Sequence, residues 1–333
     1  MTQVEADLAH ATATVRAADP GLRSLVLTGA FARGEGAVLH GKAQNDYDLV
    51  ALRGWRPSRV PYDELRRRLT RELGLHVDLA PVAAWRLPFV AHSIFWYETA
   101  RKGKVLWGRD MLRRIPVQAA ESIDRREGLR LLVNRSAGLL LATGMREPHA
   151  VRIQAAKALL AALDAQLLAA GVFPPSHRER WNALGQLRVD GRAPPNLAGD
   201  VGWFQWAYNY KVDPAHAEER SSDMAWRAAR RAVLDAVPTA LGHAGLRSLD
   251  DYAHKDGIVD HLIYHRRSAH LPGARRWAMN PTGRVRLATL RLLEATPDGE
   301  VNVHVARRCL RGIVECKREP LQTLEAVREA TLQ

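Results

Sequence analysis

Residues 25–48 read LVLTGAFARGEGAVLHGKAQNDYD, and residues 75–82 read LHVDLAPV. The first stretch opens on an apolar run, Leu25-Val26-Leu27, which predicts a short buried strand from about Leu22 to Thr28, ended by a turn at Thr28-Gly29. Arg33-Gly34-Glu35 follows, then an irregular segment rich in Gly, Lys, Gln and Asn. Asp46-Tyr47-Asp48 leads into a second apolar run, Leu49-Val50-Ala51-Leu52. Side chains alternate along a strand, so Asp46 and Asp48 share a face. In the second stretch Asp78 stands between Val77 and Leu79, where a core strand has no structural use for a charge. Three carboxylates on neighbouring strands, beside a glycine turn, form a donor set for divalent cations held against a triphosphate.

The arrangement resembles the DNA polymerase β-like nucleotidyltransferase superfamily. That pattern is an apolar strand, Gly-Ser, a spacer, Asp-x-Asp, and a third Asp on a later strand; the matching residues here are Gly29, Asp46, Asp48 and Asp78. Arg33-Gly34-Glu35 is similar to the segment that often follows Gly-Ser in small bacterial members. The serine position holds Ala30, a departure from the pattern. The resemblance covers roughly the first third of the chain. It implies an α+β fold: a small mixed-sheet nucleotidyltransferase domain with flanking helices, followed by an all-helical domain. It further implies Mg²⁺, in a two-metal site, held by Asp46, Asp48 and Asp78 as the catalytic residues, with an NTP, ATP included, as substrate. Gly29, Ala30, Arg33 and Glu35 are the implied nucleotide-binding residues of the first domain. Gly29 lets backbone N–H groups approach phosphate, whereas Ala30 lacks the hydroxyl contact a serine would add. Read without the resemblance, Asp46 and Asp48 flank a surface turn, Asp78 caps a strand, and Arg33 and Glu35 are solvated loop residues.

The 333 residues suffice for a full core and two domains. A hydrophobic fraction of 47% with 26% charged residues is that of an ordinary globular protein. No apolar stretch reaches the length of a membrane span, and MTQVEADLAH lacks the basic start and apolar core of a signal peptide. The expected location is the cytoplasm, with no membrane partner. If Cys309 and Cys316 share a helix they stand about 10 Å apart along it, too far for a disulfide, and read as reduced thiols. A net charge of +13 and a pI near 10.3 invite a nucleic-acid reading. Yet the basic residues are 42 Arg and 7 Lys spread along an Ala-rich chain, without a compact basic tail. Nucleic acid is therefore the less favoured partner.

Helices are expected over Thr2–Ala18, with Thr2 and Glu5 spaced as a capping box, and over Pro61–Leu73, closed by Gly74. A helix over Pro88–Arg101 and a strand over Lys104–Trp107 complete a catalytic domain spanning residues 1–115. From 116 to 333 the periods are helical: Ala119–Thr143, His149–Ala170, a helix opened by Ser176 and Glu179, then Ser248–Arg267, Thr282–Ala295 and Asn302–Glu315. This region forms a helical bundle, divisible into sub-bundles 116–246 and 247–333.

Lys157 is a lone cation in an apolar helical stretch. It suits a triphosphate clamp from the second domain, a placement similar to that in small bacterial nucleotidyltransferases; the bland alternative is a snorkelling lysine. Tyr208 to Lys211, after Trp203 and Trp206, either stack on a base or pack as helix core. His261 and His265 share a helix face but lack a third ligand, which argues against zinc. The expected activity is Mg²⁺-dependent transfer of a nucleoside monophosphate from an NTP to an acceptor hydroxyl, with a small-molecule acceptor favoured. RNA (tRNA) or protein as acceptor is the first alternative. A degenerate nucleotide-binding protein without turnover is the second.

Overall fold

A computed structural model describes residues 2–55, 60–198, 201–214, 217, 219–249, 251–252 and 289–297. Cys309, Cys316, His261, His265 and the expected helix over 302–315 lie outside the described residues, as does most of the helices expected over 248–267 and 282–295. The architecture is α+β: a four-stranded mixed sheet with helices near the N-terminus, and a helical region after it.

The N-terminal helix α1 (Gln3–Ala18) begins as its sequence spells. The Thr2 hydroxyl accepts from the Glu5 amide at 3.3 Å, and the Glu5 carboxylate accepts from the Thr2 amide at 2.8 Å. Strand β1 (Leu22–Thr28) runs straight into a short helix, α2 (Gly29–Arg33). A two-residue hairpin of β2 (Val38–Leu39) and β3 (Lys42–Ala43) fills the irregular segment before β4 (Tyr47–Arg53). Helix α3 (Tyr62–Leu73) ends at Gly74 in the left-handed conformation, φ 63°, and carries the chain to β5 (Val77–Ala83). A 3₁₀ turn (Ala84–Phe89), helix α4 (Ile94–Lys102) and β6 (Lys104–Gly108) follow. The sheet order is β5-β4-β1-β6, with β4 parallel to β5 and the other two pairings antiparallel. A parallel pair needs a crossover, and α3 supplies it.

Alternation sorts the sheet into two faces. Leu25, Leu27, Tyr47, Leu49, Ala51, Val77 and Leu79 join one apolar cluster with Ala11 and Val15 of α1 and with Leu65 and Leu69 of α3. The residues of opposite parity, Thr28, Asp48 and Asp78, therefore belong to the face away from that cluster. The core thus fixes the direction of the two aspartates.

In place of one helix over Pro88–Arg101, the chain makes the 3₁₀ turn, a break, and then α4. Pro88 ends up inside the 3₁₀ turn, and the Ser93 hydroxyl accepts from the Trp96 amide at 3.3 Å, which restarts the helix. The helix expected from Ala119 begins only at Glu127, as α5 (Glu127–Ala142). Before it, the Asp124 amide donates to His92 O at 2.6 Å and His92 Nδ1 lies 2.8 Å from Ser122 O, which holds 122–124 out of helical register.

The remaining helices are α6 (Pro148–Ala169), α7 (His177–Val189), α8 (Pro195–Ala198), α9 (Gly202–Val212) and α10 (Ser222–His243). Helix α6 is buried around most of its second half, from Ala158 to Leu168, as expected of a helix apolar on all sides. It packs on both α5 and α10. The Trp226 indole of α10 donates to Leu139 O of α5 at 2.8 Å.

The chain forms two compact units. One comprises the described residues of 1–124 together with 171–187 and 208–217; the other comprises 125–170, 188–207 and the described residues from 219 on. The units are discontinuous in sequence, whereas the expected division was a single cut at 115/116. Segments 171–187 and 208–217, expected in the helical bundle, cluster with the sheet. Three contacts account for the first of these: Tyr97 OH donates to Phe173 O at 3.0 Å, Lys102 Nζ to Glu179 Oε1 at 2.8 Å, and the Arg178 amide to Glu35 Oε1 at 2.7 Å.

Candidate active site

The turn after β1 is built around Gly29. Its φ of 65° is strained for any residue with a side chain. Space forbids one as well: a Cβ at position 29 would lie 2.8 Å from Asp48 Cγ and closer still to its Oδ2. The Gly29 backbone is thus pressed against the Asp48 carboxylate. Register explains the meeting. Thr28 pairs with Asp48 across the antiparallel β1–β4 ladder, and the Thr28 hydroxyl donates to Asp48 O at 3.2 Å.

On its other side Asp48 pairs with Asp78 across the parallel β4–β5 ladder. Asp46 lies two residues before Asp48, just ahead of the strand. Burial, then the negative charges of Asp46 and Asp78, push the Asp48 carboxyl up to about 6, against the opposing pull of Arg33 and Lys211. Asp48 thus feels the charge of both other aspartates in the folded unit. Asp78, however, has a side chain 56% exposed, and its Oδ1 stands 3.9 Å from Arg66 Nη1 of α3. Among the described residues, no three carboxylate, imidazole or thiol groups converge closely enough to hold a metal ion. The donor chemistry still suits a hard divalent cation: all-oxygen, anionic, and centred on Asp48, a carboxylate to which no described residue donates a hydrogen bond.

Arg33 and Glu35, candidates for solvated loop positions, are buried instead. Arg33 Nε donates to Glu35 Oε2 at 3.1 Å and Nη1 to Glu98 Oε2 at 2.6 Å, with the arginine side chain 7% exposed and that of Glu35 2%. Arg180 Nη2 closes on the other Glu98 oxygen, while its Nε donates to Pro174 O at 2.8 Å. The result is a chain of alternating charge, Glu35–Arg33–Glu98–Arg180. Burial alone would raise the Glu98 carboxyl, but Arg33 and Arg180 outweigh it and hold the group below its ordinary value. Glu35 therefore holds Arg33 in place. At least two of the Arg33 nitrogens are committed to carboxylates.

The structure brings Gly29, Asp46, Asp48, Asp78, Arg33 and Glu35 into one compact unit. Ala30 sits in α2, 6% exposed, directly after Gly29. Lys157 lies half-buried on α6, in the other unit. The sequence reading did not single out Glu98 or Arg180, and took in Lys211 only as the end of the stretch Tyr208 to Lys211. Glu98 had a signal, a lone carboxylate in the aromatic run IFWYETA. Lys211 had a weaker one, the cation that directly follows WFQWAYNY. Its charge acts on both Asp48 and Glu98.

No family model and no curated protein matches the chain. One solved structure, described as "Crystal structure of the toxin-antitoxin with AMP-PNP", is similar to part of it. The likeness has 22% identity, covers 30% of this chain and 71% of that one, and has a TM-score of 0.24. A likeness that slight says nothing about fold or activity. Among the described residues no helix is long and apolar enough to cross a membrane.

Proposed function

We propose that the protein is a Mg²⁺-dependent nucleotidyltransferase that moves a nucleoside monophosphate from an NTP to an acceptor hydroxyl, preferably on a small molecule. The observation that carries this reading is the Gly29 backbone abutting Asp48, at the level where Asp48 pairs with Asp78 and two residues after Asp46. Asp46 and Asp48 are the proposed cation ligands, with Asp78 the third. Bound there, the cation would neutralise phosphate charge and orient the α-phosphate for in-line attack. The Gly29 turn, bare of a side chain, makes room for the Asp48 carboxylate, so that a cation held there would stand beside the turn's backbone. Arg33, held rigid by Glu35 and Glu98, adds fixed positive potential beside Asp48. In the transfer, the acceptor oxygen bonds to the α-phosphorus as the bond to the pyrophosphate oxygen breaks, and the hydroxyl proton leaves to a neighbouring base. Positioning and charge neutralisation supply most of the rate.

A second reading, nucleotide binding without turnover, is favoured by Ala30 in the serine position and by the separation of Asp78 toward Arg66. Pyrophosphate release decides between them. The transferase reading expects pyrophosphate in step with NTP consumption when acceptor is supplied in a hydroxyl-compound or cell-extract panel. NTP binding with no pyrophosphate across that panel favours the second reading.

A further inference from the structure

The compact unit that holds Asp48 has a feature that the carboxylates do not explain. Trp181 of α7 and Tyr208 of α9 face each other as parallel rings, centroids 6.2 Å apart and planes 6° from coincident. Both are only half-buried, so ring surface remains open in the compact unit that also holds the aspartates. Glu35, one residue beyond Gly34, accepts from the Arg178 amide at 2.7 Å. That bond ties the start of α7, the helix that carries Trp181, to the turn after α2. Trp181 stands three residues after Arg178, and Lys211 three after Tyr208, the spacing of neighbours on one helix face. Lys211 belongs to the same compact unit as Asp48.

One compact unit thus holds carboxylates, cations and a flat aromatic pair. A nucleotide asks for the same three: a place for metal-bound phosphates, positive charge for the phosphates, and a surface for a planar heterocycle. Core packing alone does not account for an aromatic pair left half-exposed, with Arg178 one helical turn before the tryptophan and Lys211 one turn after the tyrosine. We infer that Trp181 and Tyr208 are the stacking platform for the base of the NTP. This rests on the nucleotidyltransferase reading, and it names residues that reading does not need. Stacking on a π-face is tolerant of base identity, and removal of one such contact weakens binding by about tenfold, with a range of roughly 5- to 150-fold.

The test compares two probes in the presence of Mg²⁺ by calorimetry: a non-hydrolysable ATP analogue and inorganic tripolyphosphate. Tyr208→Leu and Trp181→Leu should each weaken the ATP analogue about tenfold and leave tripolyphosphate affinity unchanged. Tyr208→Phe, which keeps the ring, should restore most of the loss. As a check independent of the leucine variants' folding, the ATP analogue should quench tryptophan emission in the intact protein. Trp181→Phe should remove most of that quenching, and tripolyphosphate should cause none. If the analogue binds the wild type and neither leucine variant changes its affinity, the platform is overturned and the transferase reading stands. Equal loss of both probes in a folded variant also overturns the platform, because it makes the pair structural. If the wild type binds neither probe, both readings fall together.

Discussion

Ala30 is the residue at which the chain parts from the pattern it otherwise resembles, and its position makes the departure measurable. It is buried in α2, immediately after the glycine that touches Asp48. A hydroxyl there would add one hydrogen bond to a charged phosphate, about 1.5–3 kcal/mol. Ala30→Ser should therefore tighten NTP binding by about tenfold or more; unchanged affinity in a calorimetric titration would show that the backbone alone makes the contact. Asp19 offers a second test, remote from the site. Burial raises its carboxyl, but hydrogen bonds from Arg53, Tyr62 and the Gly21 amide outweigh that and hold it below its ordinary 3.8. A depressed carboxyl stabilises the fold above the unfolded pKa and loses that contribution as pH falls through the folded one. Asp19→Asn should thus cost about 3 kcal/mol at pH 7, by urea midpoint. The gap to wild type should narrow only below about pH 4. A gap that is the same at pH 3 and pH 7 would contradict the assignment.

At the scale of elements, what was legible was local. The strand over Leu22–Thr28, the Thr2/Glu5 capping box and the Gly74 stop are written in short spacings, because alternation, capping and left-handed glycine act within a few residues. The elements that misread were those decided by distant partners. Nothing near residue 119 says that His92 will hold 122–124 out of helix, and nothing near residue 33 says that Glu98 and Arg180 will draw Arg33 inside. That network is high in consequence, since α2, α4 and the start of α7 all meet in it. Glu98→Gln would leave Arg33 and Arg180, both nearly fully buried, without their shared carboxylate. The expected cost is about 3–5 kcal/mol, seen as a lowered denaturant midpoint. A change below about 1 kcal/mol would mean that the arginines find other partners at little cost.

For the whole molecule, the sequence conveyed the α+β class and the nearness of Gly29 to Asp48 and of Asp48 to Asp78, because β1, β4 and β5 are neighbours in one sheet. It did not convey that 171–187 and 208–217 fold with that sheet, since the ties are single long-range contacts such as Tyr97 to Phe173 and Lys102 to Glu179. A fragment ending at residue 124 should consequently lack the fixed aromatic packing of the full chain, with weak near-ultraviolet circular dichroism; a native-like spectrum would contradict the discontinuous unit. The central claim is that Asp46 and Asp48 hold a catalytic divalent cation beside the Gly29 backbone. Its most direct test is Mg²⁺-dependent pyrophosphate release from NTP by wild type and by Asp46→Asn, Asp48→Asn and the double variant, each first shown to be folded. The account predicts release by wild type that disappears when Mg²⁺ is withdrawn, and its near-complete loss in every variant. Near wild-type release by a folded double variant would contradict it.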